Sequence, residues 1–485
     1  MKLKDIIKDI EILAPSSYRD VEISSIVFDS RKIEKGSLFV AVPGTKSDGH
    51  DFIGSAISGG AAAVICEVLP GSDTGDTVVL KVKDSAKALG VAASSFYANP
   101  SSLFTLVGVT GTNGKTTIAT LLYRMFSMLG YKCGLFSTVC NYIGDRELPA
   151  THTTPDPVQL NRLMAEMAEA GCAYVFMEVS SHSVDQKRIA GLKFRGGIFT
   201  NLTHDHLDYH KTFENYLAAK KAFFDSLPAG AFALSNADDR NGKVMLQNTK
   251  ADKYMFSSRS MADFRVAILE QRFEGMGLKI DGEELWTRFI GDYNASNLLA
   301  VYAASVLLGA EKKHVLTILS GLTSVPGRLE VVKSEGTITG IVDYAHTPDA
   351  LVNVIGTINR IRQGGNKLIT VVGAGGDRDR TKRPKMAAIS AEGSNKVILT
   401  SDNPRSEDPE SILNDMEAGI PPEYKNRVLR ITDRKQAIRT AVMLAGAGDV
   451  ILVAGKGHET YQEISGVRHH FDDREELGKA LLTKI

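Results

Sequence analysis

Short runs of apolar residues, each followed by a cluster of polar or glycine residues, recur along most of the chain. Phe104 to Val109 is such a run, and a Gly-rich loop separates it from apolar residues that repeat at helical spacing as far as Leu129. This order predicts a buried strand, a loop and a helix. Two later runs, residues 173–177 and 196–200, also end in polar clusters. They are typical of parallel strands whose loops form a site at their carboxyl ends.

The pattern restarts after Val325-Pro-Gly-Arg-Leu-Glu330, where we predict a domain boundary. Four apolar runs follow, and each of them ends in a polar loop. Between the first two runs, apolar residues line one face of a predicted helix, which favours a doubly wound α/β unit. The four runs are residues 338–342, 368–372, 397–399 and 450–453, and the helix face is formed by Leu351, Val354, Ile355 and Ile358.

The first hundred residues are less regular. A short strand pattern covers Ile23 to Phe28, Met1 to Leu13 alternates as an amphipathic helix does, and turn residues at Ala98 to Ser102 indicate another boundary. A chain of 485 residues has room for about three domains. The predicted fold is α/β, with a central P-loop-type domain built on a parallel or mixed sheet and a C-terminal Rossmann-like doubly wound domain. The predicted domains are residues 1–100, 101–330 and 331–485.

Composition restricts the classes of function. Apolar residues make up 43% of the chain, and 57 Lys and Arg residues balance 57 Asp and Glu residues. This balance gives no bulk attraction to nucleic acid or membrane, so an anionic ligand must be held by a local site. The sequence shows no signal-peptide pattern and no run of about twenty apolar residues, and its four cysteines lack CxxC spacing. We therefore expect a cytoplasmic monomer with free thiols and with neither a nucleic-acid nor a membrane partner.

The sharpest motif is Thr110-Gly-Thr-Asn-Gly-Lys-Thr-Thr117, between a predicted strand and a predicted helix. Small residues let backbone N–H groups surround a phosphate, and the start of the helix adds positive potential. Lys115 would reach the β and γ phosphates of a nucleotide, and Thr116 would hold Mg²⁺. The strict P-loop pattern requires Gly where Val109 stands, so the match is a variant one. A plain turn is the alternative, but the strand, loop and helix context favours nucleotide binding.

Three other polar features admit more than one interpretation. Glu178, at the end of an apolar run, could bind Mg²⁺ or be an ordinary strand-end carboxylate. Ser180-Ser-His182 could suggest a nucleophile and a base, but no GxSxG elbow is present and a hydroxyl could equally contact substrate. Residues 201–210 contain three histidines and two aspartates. That density suggests zinc, but the ligand spacing is irregular.

Seven blocks together resemble the Mur ligases of bacterial cell-wall synthesis, in the same order and over essentially the whole chain. They are Thr110–Thr117, Met177–His182, Asn201–His206, Ala218–Lys220, Gly291–Asn297, Pro326–Arg328 and Asp343–His346. Three further blocks are similar to those of the members that add meso-diaminopimelate: Gly375–Asp379, Asp402–Arg405 and Lys456–Glu459. Folylpolyglutamate synthases share the fold but should lack these last three blocks.

The resemblance implies an ATP-dependent ligase of peptidoglycan synthesis. It would add meso-diaminopimelate to the D-Glu γ-carboxylate of UDP-N-acetylmuramoyl-L-Ala-D-Glu through an acyl phosphate. The first domain would bind the UDP-muramoyl substrate, the second ATP and the third the amino acid. An L-lysine-adding homologue, a folylpolyglutamate synthase and a nucleotide switch without catalysis are the alternatives. A switch would leave the polar motifs of the third domain without a use.

The resemblance also assigns residues to ATP and to Mg²⁺. Lys220 is implied to carry a carbamate, an anion that would help to bind the metal where an ammonium would be repelled; alone, it could be a solvated helix lysine. The residues implied to be catalytic are Lys115, Glu178, His206 and Lys220. The residues implied to bind Mg²⁺ are Thr116, Glu178, His206 and Lys220. Those implied to bind ATP are Gly111, Thr112, Asn113, Gly114, Lys115, Thr116, Thr117, Asn294, Asn297 and Arg328.

The remaining assignments concern the two other substrates. Arg405 and Arg378 could hold the distal carboxylate of diaminopimelate, which lysine lacks, although Arg405 could instead make a structural salt bridge. Taken alone, each residue assigned to the muramoyl substrate would be an ordinary loop or surface residue. The residues implied to bind the UDP-muramoyl dipeptide are Phe28, Ser30, Thr45, Lys46, Ser47, Thr153, Thr154, Ser180, Gln186 and Arg188. Those implied to bind diaminopimelate are Arg378, Asp402, Asn403, Pro404, Arg405, Gly455 and Glu459.

Overall fold

Three sheets, each flanked by helices, are arranged in chain order. A computed structural model describes the chain except for residues 16–18, 45–46, 72, 151, 204, 206, 333–336, 363 and 485. The predicted α/β class is confirmed. No helix in the described ranges is both long enough and apolar enough to cross a bilayer.

The first sheet has five strands. Its elements are α1 (Leu3–Ile7), β1 (Ala14–Pro15), β2 (Ser25–Val27), β3 (Ser37–Val40), α2 (Ile53–Ser58), β4 (Ala63–Cys66), β5 (Val78–Lys81) and α3 (Ser85–Phe96). Strands β2 to β5 are parallel, and β1 adds an antiparallel edge. The prediction of one helix from Met1 to Leu13 was wrong. The chain turns after Ile7 and then crosses to the sheet, where Leu13 N donates to Lys81 O.

The second sheet has eleven strands in the order β16-β15-β14-β13-β12-β11-β6-β10-β7-β8-β9. Its elements are β6 (Thr105–Thr110), α4 (Lys115–Met128), β7 (Cys133–Phe136), β8 (Cys140–Ile143), β9 (Arg146–Pro149), α5 (Pro157–Glu169), β10 (Tyr174–Glu178), α6 (Ser181–Asp185), β11 (Gly196–Phe199), α7 (Leu207–His210), α8 (Phe213–Asp225), β12 (Phe232–Asn236), α9 (Gly242–Met245), β13 (Asp252–Ser257), β14 (Phe264–Arg272), β15 (Gly275–Ile280), β16 (Glu283–Thr287), α10 (Asp292–Leu307) and α11 (Lys312–Gly321). Strands β11, β6 and β10 are parallel neighbours, as predicted, so their carboxyl ends share one edge. Antiparallel hairpins extend both sides of this parallel centre.

The third sheet has six strands in the order β17-β18-β22-β19-β20-β21. Its elements are β17 (Glu330–Val332), β18 (Thr339–Asp343), α12 (Pro348–Ile361), β19 (Leu368–Val372), α13 (Lys382–Gly393), β20 (Lys396–Leu399), α14 (Pro409–Glu417), β21 (Val428–Arg430), α15 (Arg434–Leu444), β22 (Val450–Ala454), β23 (Tyr461–Ile464), β24 (Val467–His470) and α16 (Asp473–Leu482). Strands β23 and β24 form a separate hairpin. The four predicted strands β18, β19, β20 and β22 are all parallel, so their four polar loops lie along one edge.

Helices cover both faces of the third sheet, which confirms its doubly wound character. Neighbouring residues of a strand point to opposite faces: Val372 packs in the core with α12 and α13, whereas Val371 packs in the core with α15 and α16. The predicted helix is α12, and it begins at Pro348 because the Thr347 hydroxyl accepts a hydrogen bond from Ala350 N and proline suits the first position of a helix.

Candidate active site

The phosphate-loop motif lies at the carboxyl end of β6, in the middle of the second sheet. Its glycines leave no room for side chains. A Cβ on Gly111 would lie 1.8 Å from Thr200 Oγ1, and one on Gly114 would lie 2.7 Å from Asn297 Oδ1. Gly114 also has a φ of +88°, a left-handed conformation that favours glycine. The motif therefore forms the strand, loop and helix that the sequence predicts.

The loop that follows β11 supports the phosphate loop. Thr200 Oγ1 donates to Asn113 O at 2.6 Å, and Asn113 N donates to Asn201 Oδ1 at 2.9 Å. Thr112 N donates to Asn201 O at 2.8 Å. Thr200 and Asn201 were not among the predicted site residues. Their position directly after an apolar run was the signal that could have identified them.

Two lysines, the partly buried Lys115 and the buried Lys220, share one backbone carbonyl beneath this loop. Lys115 Nζ donates to Gly111 O at 3.0 Å and to Thr112 O at 2.8 Å, and Lys220 Nζ donates to Gly111 O at 2.7 Å. Burial lowers the pKa of Lys115. Burial, followed by the neighbouring charge of Lys115, lowers the pKa of Lys220 well below its usual range. Both effects disfavour the protonated amine of Lys220 relative to that of an exposed lysine.

Glu178 ends β10 beside the phosphate loop and is fully buried. Its Oε1 accepts a hydrogen bond from Thr138 N at 2.7 Å, and the Thr138 hydroxyl donates to Thr153 Oγ1 at 3.0 Å. Its Oε2 has no hydrogen-bond partner among the described residues. A buried carboxylate oxygen without a partner is unusual, and a cation would satisfy it.

The residues present fit Mg²⁺, which prefers oxygen ligands. Besides the free oxygen of Glu178, the Thr116 hydroxyl lies at the start of α4 and accepts from Arg328 Nη2 at 3.3 Å. The predicted ligand His206 lies outside the described residues. The described side chains alone form no group of three or more His, Cys, Asp or Glu residues suited to a metal.

A cavity of about 830 Å³ opens beside the phosphate loop, between the second and third sheets. This volume suits a nucleotide. Asn297 Nδ2 donates to Asn294 Oδ1 at 3.2 Å, which fixes two of the predicted nucleotide residues. Asn113 Nδ2 donates to Asp349 Oδ2 at 3.1 Å, so the third sheet reaches the phosphate loop directly. The predicted ATP residues that line the cavity are Asn113, Gly114, Thr117, Asn294, Asn297 and Arg328.

Contacts with the ring of Tyr344 connect this cavity to the third sheet. The Arg328 guanidinium lies 4.6 Å from the centre of the Tyr344 ring, and the His458 ring lies 4.8 Å away from the same centre. Asp343, at the end of β18, accepts from Leu329 N at 2.6 Å. Burial raises the pKa of Asp343 to about 6, although the positive charge of Arg328 opposes the rise.

The residues predicted to contact the muramoyl peptide lie in one hydrogen-bonded group beside Glu178. Thr154 Oγ1 donates to Glu178 O at 2.9 Å and accepts from Ser180 N at 3.4 Å. Arg188 donates from Nη1 to Thr154 O at 2.8 Å and from Nε to Gln186 Oε1 at 3.0 Å. Residues far apart in the sequence thus form a polar surface next to the phosphate loop.

The residues predicted to contact uridine follow two parallel strands of the first sheet. Phe28 and Ser30 come after β2, and Ser47 comes after β3, so all three lie beyond the same sheet edge. Phe28 is 41% exposed, so its ring is accessible to a ligand. Thr45 and Lys46, also predicted here, lie outside the described residues.

A second polar site lies at the carboxyl edge of the third sheet. Asn403 Nδ2 donates to Glu459 Oε2 at 2.7 Å, and the fully buried Lys456 donates to Asn403 Oδ1 at 3.1 Å. Asp402 Oδ1 is buried and has no hydrogen-bond partner in the described part of the chain, although Lys456 Nζ lies 3.6 Å away. A Cβ on Gly455 would lie 3.0 Å from Asp402 Oδ2. Lys456 was not among the predicted site residues, although it is the first residue of the motif Lys456–Glu459.

The two predicted arginines both lie beside Gly375 in the same site. A Cβ on Gly375 would lie 3.0 Å from Arg405 Nη1 and 3.8 Å from Arg378 Cγ. Arg405 Nη1 donates to Gly376 O at 2.6 Å, and Arg405 has a left-handed φ of +55°. A Cβ on Gly376 would lie 1.9 Å from Pro404 O, so the two loops pack closely. Guanidinium groups and carboxylates thus occupy one edge.

Comparisons with known families account for most of the chain. The domain described as Mur ligase family, catalytic domain, matches residues 22–97. The Mur ligase middle domain matches residues 109–305, and the Mur ligase, glutamate ligase domain matches residues 327–457.

Similar proteins match over the full length of the chain. A protein of Parabacteroides distasonis named UDP-N-acetylmuramoyl-L-alanyl-D-glutamate--2,6-diaminopimelate ligase is 59% identical over 484 residues, which cover 100% of both chains. A protein of Bacteroides fragilis with the same name is 58% identical over 477 residues, or 98% of each chain. A solved structure of a ligase with that name is 34% identical, has a TM-score of 0.71 and covers 100% of this chain and 99% of its own.

Proposed function

The chain belongs to the Mur ligase family, and we propose that it is a member that adds meso-diaminopimelate to UDP-N-acetylmuramoyl-L-Ala-D-Glu. The reaction joins an amine of diaminopimelate to the D-Glu γ-carboxylate with consumption of ATP. It supplies a tripeptide precursor of peptidoglycan, and we place it in the cytoplasm, where ATP is available. In this proposal the first sheet carries the uridine end, the second ATP and the third the amino acid.

The observation that carries the proposal is the pairing of charges at the edge of the third sheet. The distal end of diaminopimelate bears a carboxylate and an ammonium. Arg405 and Arg378, which both lie beside Gly375, suit the carboxylate. Asp402 and Glu459 suit the ammonium. Burial, followed by the charge of Asp402, raises the pKa of Glu459, although Lys456 Nζ, 3.2 Å from Glu459 Oε2, opposes the rise.

The phosphate loop would hold ATP in the cavity between the second and third sheets. Glu178, Thr116 and a modified Lys220, with His206, would hold Mg²⁺, which supplies positive charge at the phosphate oxygens when bound. Lys115 and Arg328 add positive charge from the protein itself. Lys115 must then exchange its contacts with Gly111 O and Thr112 O for contacts with phosphate.

Lys220 is the residue that we propose to be carboxylated. Its neutral amine would add to CO₂, forming an N–C bond and releasing a proton. The carbamate carries a negative charge, so it would attract Lys115 where an ammonium would repel it. The lowered pKa and the carbonyl shared with Lys115 both support this change.

The chain's residues act in two stages of bond formation. Arg188, Gln186 and Ser180 orient the peptide so that a γ-carboxylate oxygen attacks the γ-phosphorus of ATP; ADP leaves and an acyl phosphate remains. Arg405 and Glu459 then hold the distal end of diaminopimelate while its other amine attacks the acyl carbon. Phosphate leaves, the amine loses a proton and an amide is formed. Enclosure between sheets limits hydrolysis of the acyl phosphate.

The decisive experiment measures phosphate release from ATP with the UDP-muramoyl dipeptide and either meso-diaminopimelate or L-lysine. We expect release only when both substrates are present, with strong preference for diaminopimelate. Arg405→Ala should reduce that preference about a hundredfold, because the distal carboxylate of diaminopimelate then has no guanidinium partner at this position. Preference for lysine would instead identify a lysine-adding homologue. Release with a folate and glutamate would identify a folylpolyglutamate synthase.

A separate experiment tests the proposed carbamate. Protein equilibrated with ¹³C-labelled bicarbonate should show a carbamate carbon signal by NMR, and Lys220→Ala should abolish it. Lys221→Ala is a matched control, because Lys221 lies on the same helix and pairs with Asp225 at 2.7 Å. A signal that persists in Lys220→Ala would contradict the assignment.

A further inference from the structure

The hairpin formed by β23 and β24 contributes little to any core. Every residue of β24 is exposed, and the adjoining Ile464 and Val467 are 40% and 56% exposed. Ser465 and Gly466 both have a left-handed φ, +50° and +78°, as a tight two-residue hairpin turn requires. An isolated two-stranded ribbon is at best marginally stable in water. Contacts between this hairpin and the rest of the protein must therefore hold it in its conformation.

Two of those contacts are made with the backbone of Arg405. Arg405 N donates to Glu463 O at 3.0 Å, and Ser465 N donates to Arg405 O at 2.7 Å. Together they form a parallel bridge between Arg405 and Ile464. Arg405 has a left-handed φ that an L-residue rarely adopts. The hairpin therefore holds the backbone of this arginine in the conformation from which its guanidinium reaches Gly376 O.

The hairpin also fixes Asp402 and Asn403, which stand three and two positions before Arg405. Gln462 Nε2 donates to Asp402 O at 2.7 Å, and Glu463 N donates to Asn403 Oδ1 at 2.9 Å. Since the same amide oxygen also accepts from Lys456, the Asn403 amide group is oriented with its NH₂ towards Glu459. Arginine, carboxylates and amide are thus arranged by one element outside the sheet.

We propose that the hairpin Tyr461–His470 determines the selection of the amino-acid substrate, with Gln462 as its main positioning residue. This inference rests on the proposed function, because it concerns the same diaminopimelate site. The hairpin touches no reacting atom in this scheme. It acts by holding Asp402, Asn403 and Arg405 in the geometry that fits a distal carboxylate and ammonium.

The experiment compares two variants with two controls in steady-state phosphate release. Gln462→Met keeps the side-chain volume but removes the donor to Asp402 O. Gly466→Val strains the turn, although no atom lies within 4 Å of the added Cβ. Ser465→Gly relieves the same turn, and His469→Ala changes an exposed residue opposite Gln462.

Gln462→Met and Gly466→Val should raise KM for meso-diaminopimelate about tenfold and reduce the preference over L-lysine by the same factor. Their kcat, KM for ATP and melting temperature should stay close to those of the unchanged protein, and so should all constants of the controls. An unchanged KM for diaminopimelate in Gln462→Met and Gly466→Val would overturn the role of the hairpin. An equal rise in KM for diaminopimelate and in KM for ATP would also overturn that role. Absence of diaminopimelate-dependent release in the unchanged protein would overturn the proposed function itself, and this inference with it.

Discussion

The phosphate loop and the amino-acid site both lie at the carboxyl ends of parallel strands, but they are built differently. The phosphate loop is one continuous segment, and its shape depends on glycines that exclude side chains. The amino-acid site combines the ends of β19, β20 and β22 with a hairpin, and its shape depends on side-chain charges. A triphosphate is the same for every ATP-dependent enzyme, so a backbone cradle suffices. An amino acid must be chosen among similar molecules, and this requires charges held at fixed positions.

The comparison predicts that the largest loss comes from the phosphate loop and is independent of the amino acid. Lys115→Ala should lower kcat/KM roughly a thousandfold or more, equally with diaminopimelate and with lysine, because charge neutralisation at the γ-phosphate is lost. Phosphate release with each amino acid measures the effect. Lys221→Ala, which removes an ion-paired lysine elsewhere, serves as the control. A loss confined to one amino acid would contradict the division between the two regions.

How much the sequence could predict differs between the two regions for a physical reason. The strand, loop and helix of the phosphate-loop segment follow from a pattern of consecutive residues, so they were predicted nearly to the residue, whereas the distant Thr200 and Asn201 that support the loop were not. In the amino-acid site, Gln462 contacts a residue 60 positions away and Lys456 contacts one 53 positions away. Neither the burial of Lys456 nor the left-handed Arg405 follows from a local pattern. The sequence motifs identify residues 402–405 and 456–459 as parts of a site, but only the fold shows how their side chains are arranged.

At the start of the chain, the local pattern predicts a longer helix than the fold forms. Met1 to Leu13 alternates as a helix does, yet the structure ends α1 at Ile7 and places Ala14 and Pro15 on the edge of the first sheet. Pairing with β5 overrides the local helical pattern there. The roles assigned to the site residues and the domain bounds remain predictions, because geometry alone does not test them.

The second prediction concerns the support beneath the amino-acid site. Arg434 and Asp473 are both fully buried, and Arg434 Nη2 also donates to Ala454 O at 3.0 Å, directly before Gly455. Asp473→Ala should lower the free energy of unfolding by about 3–5 kcal/mol, because it leaves a buried charge unpaired. Urea denaturation measures this loss. Arg434→Met combined with Asp473→Leu should recover most of it, and no recovery would argue against an electrostatic cause.

The third prediction concerns Asp343, where the two regions meet. A buried carboxyl whose pKa is raised to about 6 stabilises the fold while it is protonated, below about pH 4. As the pH rises from about 4 to 6, this contribution is lost, and the free energy of unfolding falls by about 2–3 kcal/mol. Asp343→Asn keeps an acceptor for Leu329 N but cannot ionise, so it should gain stability relative to the unchanged protein over this window. Denaturation curves at several pH values measure the difference, and parallel pH profiles would refute it.

The smallest effect separates the two arginines of the amino-acid site. Arg405 is half-buried and its guanidinium donates to Gly376 O at 2.6 Å, whereas Arg378 is exposed and its guanidinium makes a long contact of 3.5 Å with Asp377 O. Water screens an exposed guanidinium and solvates it when it is unpaired, so Arg378→Ala should raise KM for diaminopimelate only about fivefold.

Arg380→Ala is the matched control for Arg378→Ala, because Arg380 lies on the same loop but is directed at Asp415. Its KM for diaminopimelate should not change. If Arg378→Ala proved as damaging as Arg405→Ala, closure of the site around the substrate would have to bury Arg378. The charges of the amino-acid site would then become fixed only when the substrate binds. The phosphate loop, in contrast, has its shape before any ligand binds.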